Sequence, residues 1–198
     1  ATGAIAWALR PTPPPTVARL AATLPPGDRV APLLNHALAL SPDGSQFAFV
    51  AIREGSKPQI YLRALDSNES RALQGTEDAE NLFFSPDGKW LGFGANRKLM
   101  KVAVGGGAPV QICAAIAPRG ASWGDNGTIV FAPNFGIYGL WQVPERGGDP
   151  QRIVKKPPAT VEGTDAIREV ADRWPELLPG GQAVLFTAWS REQDSSQL

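Results

Sequence analysis

The chain has 198 residues, and its 19 basic and 19 acidic residues balance to a formal net charge of zero. This balance argues against a nucleic acid or an anionic membrane surface as a partner that is recognised through bulk charge. Apolar residues make up 43% of the sequence, and the 21 glycines and 19 prolines are typical of short strands joined by many turns.

The first ten residues contain an apolar run from Ala4 to Leu9, which is followed by Arg10. A run of this length cannot span a bilayer, because a transmembrane helix needs about 20 residues. The run fits either the outer end of a span that begins upstream, with Trp7 at the interface, or a short apolar tail. We therefore assign residues 1–10 as a candidate end of a transmembrane segment.

Residues 11–36 are predicted to form a proline-rich linker. Seven prolines fall within residues 11–32, and those at residues 13–15 are consecutive. This composition favours extended polyproline conformations and forms a semi-rigid spacer. His36, the only histidine of the chain, is expected at a surface or edge position just before the first repeat.

A recurring tetrapeptide indicates the architecture of the remaining chain. Ser-Pro-Asp-Gly occupies residues 41–44 and returns at residues 85–88. Degenerate copies stand at residues 124–127 and 178–181. Internal repeats with a period of roughly 40 to 50 residues are typical of propellers, solenoids or arrays.

The residues around each turn predict four strands per repeat. After the glycine, bulky apolar residues recur with a period of two, which indicates a strand with one face turned inward. These pairs are Phe47 and Phe49, Leu91 and Phe93, Ile129 and Phe131, and Val184 and Phe186. The first strand of a repeat precedes the turn and is predicted at residues 38–40, 82–84 and 121–123. The third strand is predicted at residues 59–62, 98–101 and 139–142, and the fourth at residues 70–73, 109–112 and 150–153. Four antiparallel strands joined by tight turns make one propeller blade.

Asp43 and Asp87 are predicted to be turn formers rather than catalytic or metal-binding carboxylates. Proline presets φ at the first central position of a turn, aspartate bonds backbone amides beyond itself, and glycine accepts a positive φ. The glycine-rich residues 105–107 and 147–148 are also predicted turns, because no Lys-Ser or Lys-Thr pair follows them as in a phosphate-binding loop.

The connection over residues 155–173 is longer than its counterparts and contains a weakly helical stretch at residues 165–170. Long loops on a rigid scaffold often carry recognition, so this segment is either a binding loop or a tolerated insertion. Four tryptophans are predicted mainly to pack within the blades, with one or two of them at the mouth of the central channel. They are Trp90, Trp123, Trp141 and Trp174.

The repeat resembles that of TolB-like propellers. It contains, in order, an apolar run, Ser-Pro-Asp-Gly, Lys-Trp-Leu-Gly-Phe as at residues 89–93, a strand such as Gln-Ile-Tyr-Leu at residues 59–62, a glycine turn and a closing strand. The resemblance covers residues 37–190 and implies an all-β fold. It says little about function, because such blades serve periplasmic transport accessories, peptidase propellers and sensor domains.

The order of apolar end, proline-rich spacer and blades is similar to the outer half of bacterial receptor-type serine/threonine protein kinases. The run at residues 173–186 is also similar to one often seen in those proteins. This resemblance implies a periplasmic domain tethered to the inner membrane. The sequence has no Gly-rich loop with its strand lysine, no His-Arg-Asp and no Asp-Phe-Gly, so a kinase domain would have to lie upstream.

Residues 37–198 are expected to be part of a longer propeller. At the observed spacing they account for about three and a half four-stranded blades, whereas the smallest closed rings have about four. We expect six blades in the complete ring. The open strand edges of this part are expected to be able to pair with another copy.

Residues for catalysis or metal binding are nearly absent. Cys113, the only cysteine, cannot form an internal disulfide and is expected to be a small buried residue at the end of a strand. The sequence has no Gly-x-Ser-x-Gly elbow, and a single histidine without a carboxylate cluster does not predict a zinc site. We predict no enzyme activity for this chain, no cofactor and no metal, and we leave the binding residues unassigned.

Three functions from different classes stay open. The first is a non-catalytic ligand-sensing or protein-interaction domain on the outer side of a membrane-anchored kinase. The second is a free periplasmic TolB-like docking protein, although residues 4–9 lack the basic start and full apolar core of a signal peptide. The third is the propeller of a prolyl-oligopeptidase-like hydrolase, which requires an α/β-hydrolase domain downstream.

Overall fold

The structure of the chain is a computed structural model that describes residues 24, 27–31, 36–116, 118–133, 139–153 and 170–190. Within these residues all of the regular structure is β-strand. The strands are β1 (Asp28–Val30), β2 (Leu38–Leu40), β3 (Gln46–Arg53), β4 (Gln59–Ala64), β5 (Ser70–Ala72), β6 (Glu80–Phe84), β7 (Trp90–Ala95), β8 (Lys98–Ala103), β9 (Val110–Ala114), β10 (Ala121–Trp123), β11 (Thr128–Phe131), β12 (Trp141–Pro144), β13 (Gln151–Arg152), β14 (Val170–Leu177) and β15 (Val184–Ser190).

The strands form antiparallel sheets that follow one another along the chain as blades. Blade 1 contains β1 to β5, blade 2 contains β6 to β9, blade 3 contains β10 to β13, and blade 4 contains β14 and β15. Strand β2 contacts β6, β6 contacts β10, and β10 contacts β14, so the first strands of successive blades lie side by side around a hub. The predicted all-β, partial propeller of about three and a half blades is confirmed.

The turns after β2, β6, β10 and β14 share one backbone geometry although their sequences differ. In each turn the glycine has a φ between 66° and 72°, a region that favours glycine. These glycines are Gly44, Gly88, Gly127 and Gly181. Asp43 Oδ1 accepts the Ser45 N–H at 3.0 Å, and Asp87 Oδ1 accepts the Lys89 N–H at 3.1 Å. The prediction that both aspartates form turns is therefore confirmed.

In blades 1 to 3 the second strand is buried on both faces, which corrects the prediction of one inward face for these strands. In β11, Ile129 and Phe131 pack against blade 2, whereas Val130 on the opposite face packs against Val184 and Phe186 of blade 4. Both faces of blades 2 and 3 are covered because a neighbouring blade lies on each side. Alternate residues of such a strand therefore lie on two faces that are both buried, and not on one buried and one exposed face.

In blades 1 to 3 the third strand, or the residue directly before it, contributes an aliphatic residue that is completely buried. These residues are Ile60, Leu99 and Leu140, and each is part of an apolar cluster between two blades. In blade 3 the strand begins at Trp141, so the predicted strand at residues 139–142 starts two residues too early. Leu140 is nevertheless held in place, because its carbonyl accepts the Ile153 N–H at 2.8 Å.

Strand β14 begins inside the segment that was predicted to be a long connection. Residues 170–173 pair with residues 187–190 of β15, so they form a strand and neither a loop nor a helix. The alternation of this stretch is weak, and the partner strand supplies the order that local sequence does not. Residues 154–169, which include most of the weakly helical stretch, lie outside the described residues.

Part of the predicted linker contributes to blade 1. Strand β1 pairs with the end of β3, and Asp28 accepts from the guanidinium of Arg53 at 3.0 and 3.3 Å. Leu24 packs against the aromatic cluster on the outer face of this blade. The apolar run at residues 4–9 lies outside the described residues, and the described ranges contain no helix long and apolar enough to cross a bilayer.

Candidate binding cleft at the hub

A cleft of about 570 Å³ lies at the hub of the propeller, among the first strands of all four blades and the turns that follow them. We call it the hub cleft. Its apolar lining comes from residues that are far apart in sequence and that the fan of blades brings together: Leu38, Leu40, Phe84, Trp123, Leu177 and Leu178.

Three leucines in the hub cleft are unusually exposed. The exposed fractions are 60% for Leu38, 55% for Leu40 and 43% for Leu178. Leu38 and Leu40 flank Ala39, which faces the other way and packs into the core between blades 1 and 2. Covering a leucine side chain stabilises by roughly 1.5–3 kcal/mol, so these side chains favour an apolar ligand. Concentrated exposed apolar surface of this kind marks binding regions in soluble proteins.

One end of the hub cleft is polar and aromatic. The rings of His36 and Trp174 stack with a centroid distance of 5.8 Å and an interplanar angle of 16°. Partial burial lowers the pKa of His36 from 6.5, and the nearby carboxylate of Glu176 opposes this shift. The lowered pKa favours the uncharged form of the imidazole at neutral pH. His36 is exposed, as predicted, and it lies at the hub.

The position of Trp174 is set by close backbone contacts. Its N–H donates to the Arg119 carbonyl at 2.8 Å, and its φ is 49°. A Cβ on Gly120 would lie 2.7 Å from the Trp174 Cα, so only glycine permits this approach. The backbone of Trp174 is thus fixed by the two residues that precede β10, and its indole ring stacks on His36.

Of the four tryptophans singled out in the sequence, three pack between blades and two contact or line the hub cleft. Trp90, Trp123 and Trp141 belong to the apolar cluster between blades 2 and 3, which confirms the packing role. Trp123 also lines the hub cleft, and Trp174 stacks on His36 there. The sequence did not distinguish Trp123 as a lining residue of the hub cleft, or Trp174 as the ring that contacts the lining residue His36.

Cys113 is buried near the end of β9, as predicted. Burial raises the pKa of its thiol to about 11, so the thiol is protonated and unreactive at neutral pH. Within the ranges that the structure describes, no three side chains of His, Cys, Asp or Glu come together as potential metal ligands. The hub cleft therefore offers apolar surface, a neutral imidazole and a carboxylate, which is chemistry suited to binding.

The sequence predicted the strand at residues 38–40 without assigning it to a binding surface. The available signal was its position, since the first strand of each blade lies nearest the central channel in a propeller. Leucine at two alternate positions of such a strand leaves apolar side chains in the channel. The segment at residues 155–173, which the sequence left open as a binding loop or a tolerated insertion, lies mostly outside the described residues.

No protein-family model and no curated protein sequence matches the chain. Its fold is similar to that of a TolB from Agrobacterium tumefaciens, with a TM-score of 0.64 and 21% identity over 78% of this chain and 54% of that one. TolB from Acinetobacter baumannii aligns with a TM-score of 0.54 and 17% identity over 78% of this chain and 40% of that one. A puromycin hydrolase aligns with a TM-score of 0.56 and 20% identity over 76% of this chain and 24% of that one.

The chain spans about half the length of the first of these structures and a smaller share of the other two. At such low sequence identities, the structural similarity shows a shared fold and nothing further. The chain therefore has a TolB-like propeller fold, and one of the structures with a similar fold is a hydrolase.

Proposed function

We propose that this chain is a non-catalytic binding domain whose hub cleft recognises an apolar segment of a protein partner. The observation that carries the proposal is the exposure of Leu38, Leu40 and Leu178 in one concave surface. A partner side chain that enters the cleft would cover these leucines and meet His36 and Glu176 at the polar end. Fold alone does not determine function, so the proposal depends on this surface.

We also infer that the domain is extracytoplasmic and belongs to a membrane-anchored serine/threonine protein kinase. The support is the order of apolar run, proline-rich spacer and blades in the sequence, together with the similarity of residues 173–186 to a run in such proteins. In this arrangement the blades sense a ligand or protein outside the membrane, and the kinase domain responds inside. The binding role of the hub cleft does not depend on this assignment.

A photo-crosslinking experiment tests the hub cleft. A benzophenone amino acid replaces Leu40 in one variant and Val110 in a control, because Val110 is a similarly exposed apolar residue on outer strand β9. We expect irradiation of source cells to produce a specific crosslinked product from position 40 only. Leu38→Asp in the same chain should reduce that product at least about fivefold, because a carboxylate disfavours apolar contacts. Equal crosslinking from both positions would contradict the proposal.

Fractionation of the native protein tests the kinase assignment. An antibody against this chain should detect a membrane-bound protein several times larger than 21.0 kDa. A soluble periplasmic band of modest size would instead favour a free TolB-like docking protein, and a cytoplasmic band would contradict both. The outcome leaves the test of the hub cleft unaffected.

The similarity to a puromycin hydrolase favours a second candidate, the propeller of a prolyl-oligopeptidase-like hydrolase. A fluorophosphonate probe that labels active serine nucleophiles distinguishes this candidate. Labelling of the immunoprecipitated native protein would support the hydrolase. Autophosphorylation of the same precipitate with ATP, without probe labelling, would support the kinase.

A further inference from the structure

A second cleft lies between blades 2 and 3 and has a volume of about 630 Å³. We call it the interblade cleft. The turn at residues 85–88 and the turn at residues 124–127 line it from the two blades, together with Trp90, Lys101 and Glu145. It adjoins the hub cleft, because Trp123 lines both.

Lys101 places an ammonium group beside two indole rings in the interblade cleft. Its Nζ lies 4.8 Å from the centroid of the Trp90 ring and 5.7 Å from that of Trp123. The same Nζ donates to the Glu145 main-chain carbonyl at 2.8 Å. Indole faces attract cations within about 6 Å of the ring centroid. The cleft thus contains a cation-binding arrangement that the chain fills with its own side chain.

Carboxylates add to this preference for a cation. Glu145 is held by Trp123, whose Nε1 donates to Glu145 Oε2 at 3.0 Å. Asp87 and Asp125 are exposed and line the same cleft. Among the described residues that line the cleft, three carboxylates face one ammonium group, Lys101. Lys89, which lies just outside this lining, forms an exposed ion pair with Asp87 at 3.5 Å. The formal charge is still negative when Lys89 is counted, although the chain as a whole is neutral.

The propeller repeat does not require this arrangement. By strand register, the residues equivalent to Lys101 are Leu62 in blade 1 and Gln142 in blade 3. The residues equivalent to Trp90 are Gln46 in blade 1 and Thr128 in blade 3. Blades 1 and 3 each form an equivalent antiparallel sheet with these different residues. The pairing of indole and ammonium in blade 2 is therefore an added feature of one blade interface.

We propose that the interblade cleft binds a ligand with primary ammonium groups, such as the lysine side chains of a peptide or a polyamine. One ligand ammonium takes the place beside Trp90 and Trp123, and Lys101 moves its head group out to water. Other ammonium groups of the ligand approach Asp87 and Asp125. Lys101 is thus an internal competitor for the ligand, and its long unbranched side chain can vacate the place without a change in the backbone.

The proposal is tested by titrating the protein with spermidine and following the six indole N–H signals by NMR. The signals of Trp90 and Trp123 are assigned with single Trp→Phe variants. We expect Lys101→Gln to tighten spermidine binding by about threefold to tenfold, because it removes the competing cation. This substitution copies Gln142 at the equivalent position of blade 3, so the strand is expected to fold normally.

Two control variants separate a local effect from a change in net charge. Lys57→Met removes a positive charge at a distant turn, where Lys57 pairs with Asp78, and should leave binding unchanged. The double change Asp87→Asn with Asp125→Asn should weaken binding by about fivefold, because it removes two exposed carboxylates that attract the ammonium groups of the ligand. Asp66→Asn changes an exposed turn carboxylate outside the cleft and should leave spermidine binding unchanged.

Two results would overturn the proposal. One is the absence of a shift in the Trp90 and Trp123 signals when spermidine is added to the Lys101→Gln variant. The other is equal tightening of binding by Lys57→Met and Lys101→Gln. A trilysine amide titrated in the same way distinguishes the sources: tighter binding than spermidine identifies a peptide ligand, and weaker binding identifies a polyamine.

Discussion

A single aspartate makes the first turn of the repeat sensitive to acid. Asp43 accepts hydrogen bonds from Ser41 Oγ at 2.6 Å and from the Ser45 N–H and Oγ at 3.0 and 2.8 Å. These bonds lower the pKa of Asp43 from 3.8 to about 2. In the third copy of the turn, Asn126 occupies the same place and accepts the Thr128 N–H at 3.0 Å. The same turn therefore forms with and without a titrating group.

We expect Asp43→Asn to reduce the loss of stability in acid. A carboxylate whose pKa is lowered by folding stabilises the native state above its unfolded pKa of about 4, and this stabilisation is lost as the pH falls through about 2. Urea melts between about pH 2.5 and pH 5 measure the free energy of unfolding. The wild-type value should fall more steeply than that of the variant, with Asp66→Asn as a control. Equal slopes for the wild type and Asp43→Asn would contradict the role of this carboxylate.

At the scale of the strand, Gly92 in β7 makes room for a neighbouring ring. A Cβ at this position would lie 2.1 Å from Cζ of Phe83, which is buried in the adjacent strand β6. The Phe83 ring in turn packs against Trp123 of blade 3 at a centroid distance of 6.2 Å. One missing side chain in β7 thus permits the contact between two blades.

We expect Gly92→Ala to lower the free energy of unfolding by about 1–3 kcal/mol, because it forces the Phe83 ring out of its place. Gly105→Ala is the control, because its Cβ would meet no atom within 4 Å. Adding Phe83→Leu to Gly92→Ala should recover part of the loss, since leucine lacks the far edge of the ring. Urea denaturation of the wild type, Gly92→Ala, Gly105→Ala, Phe83→Leu and the double variant measures this. Losses in the double variant equal to the sum of the two single losses would exclude the proposed clash.

At the scale of the whole molecule, the two end blades each present a face that no described blade covers. The outer face of blade 1 carries Phe47, Phe49 and Tyr61, which are buried together with Leu24 packed against them. Leu185 in blade 4 is 65% exposed, whereas Val130 at the equivalent position of blade 3 is buried under blade 4. Blade 4 is thus the end with unprotected apolar surface.

We expect the isolated chain to self-associate through blade 4 as its concentration rises. Exposed apolar faces and open strand edges are both templates for pairing. Size-exclusion chromatography with light scattering measures the mass, and Leu185→Lys should shift the population towards the monomer. Val110→Lys, a similar change on outer strand β9, is the control. Association that is unaffected by Leu185→Lys would exclude this face as the contact.

Local chemistry determined much of the fold. The proline, aspartate and glycine turns and the strands beside them depend on contacts within a few residues, so residues 38–40 and 121–123 were predicted with their observed bounds. Residues 170–173 were not, because pairing with β15 overrides a weak local pattern there. The predicted third strand of blade 3 began two residues too early, because its pairing with β11 begins only at Trp141.

The sequence by itself therefore determined the blade, its turns and the approximate number of blades. Only the tertiary structure decided where a ligand would bind. The hub cleft needs strands from four blades, and the interblade cleft needs Lys101 to reach Glu145, 44 residues further along the chain. Such surfaces form from residues that are distant in sequence, and their placement depends on how one blade packs against the next.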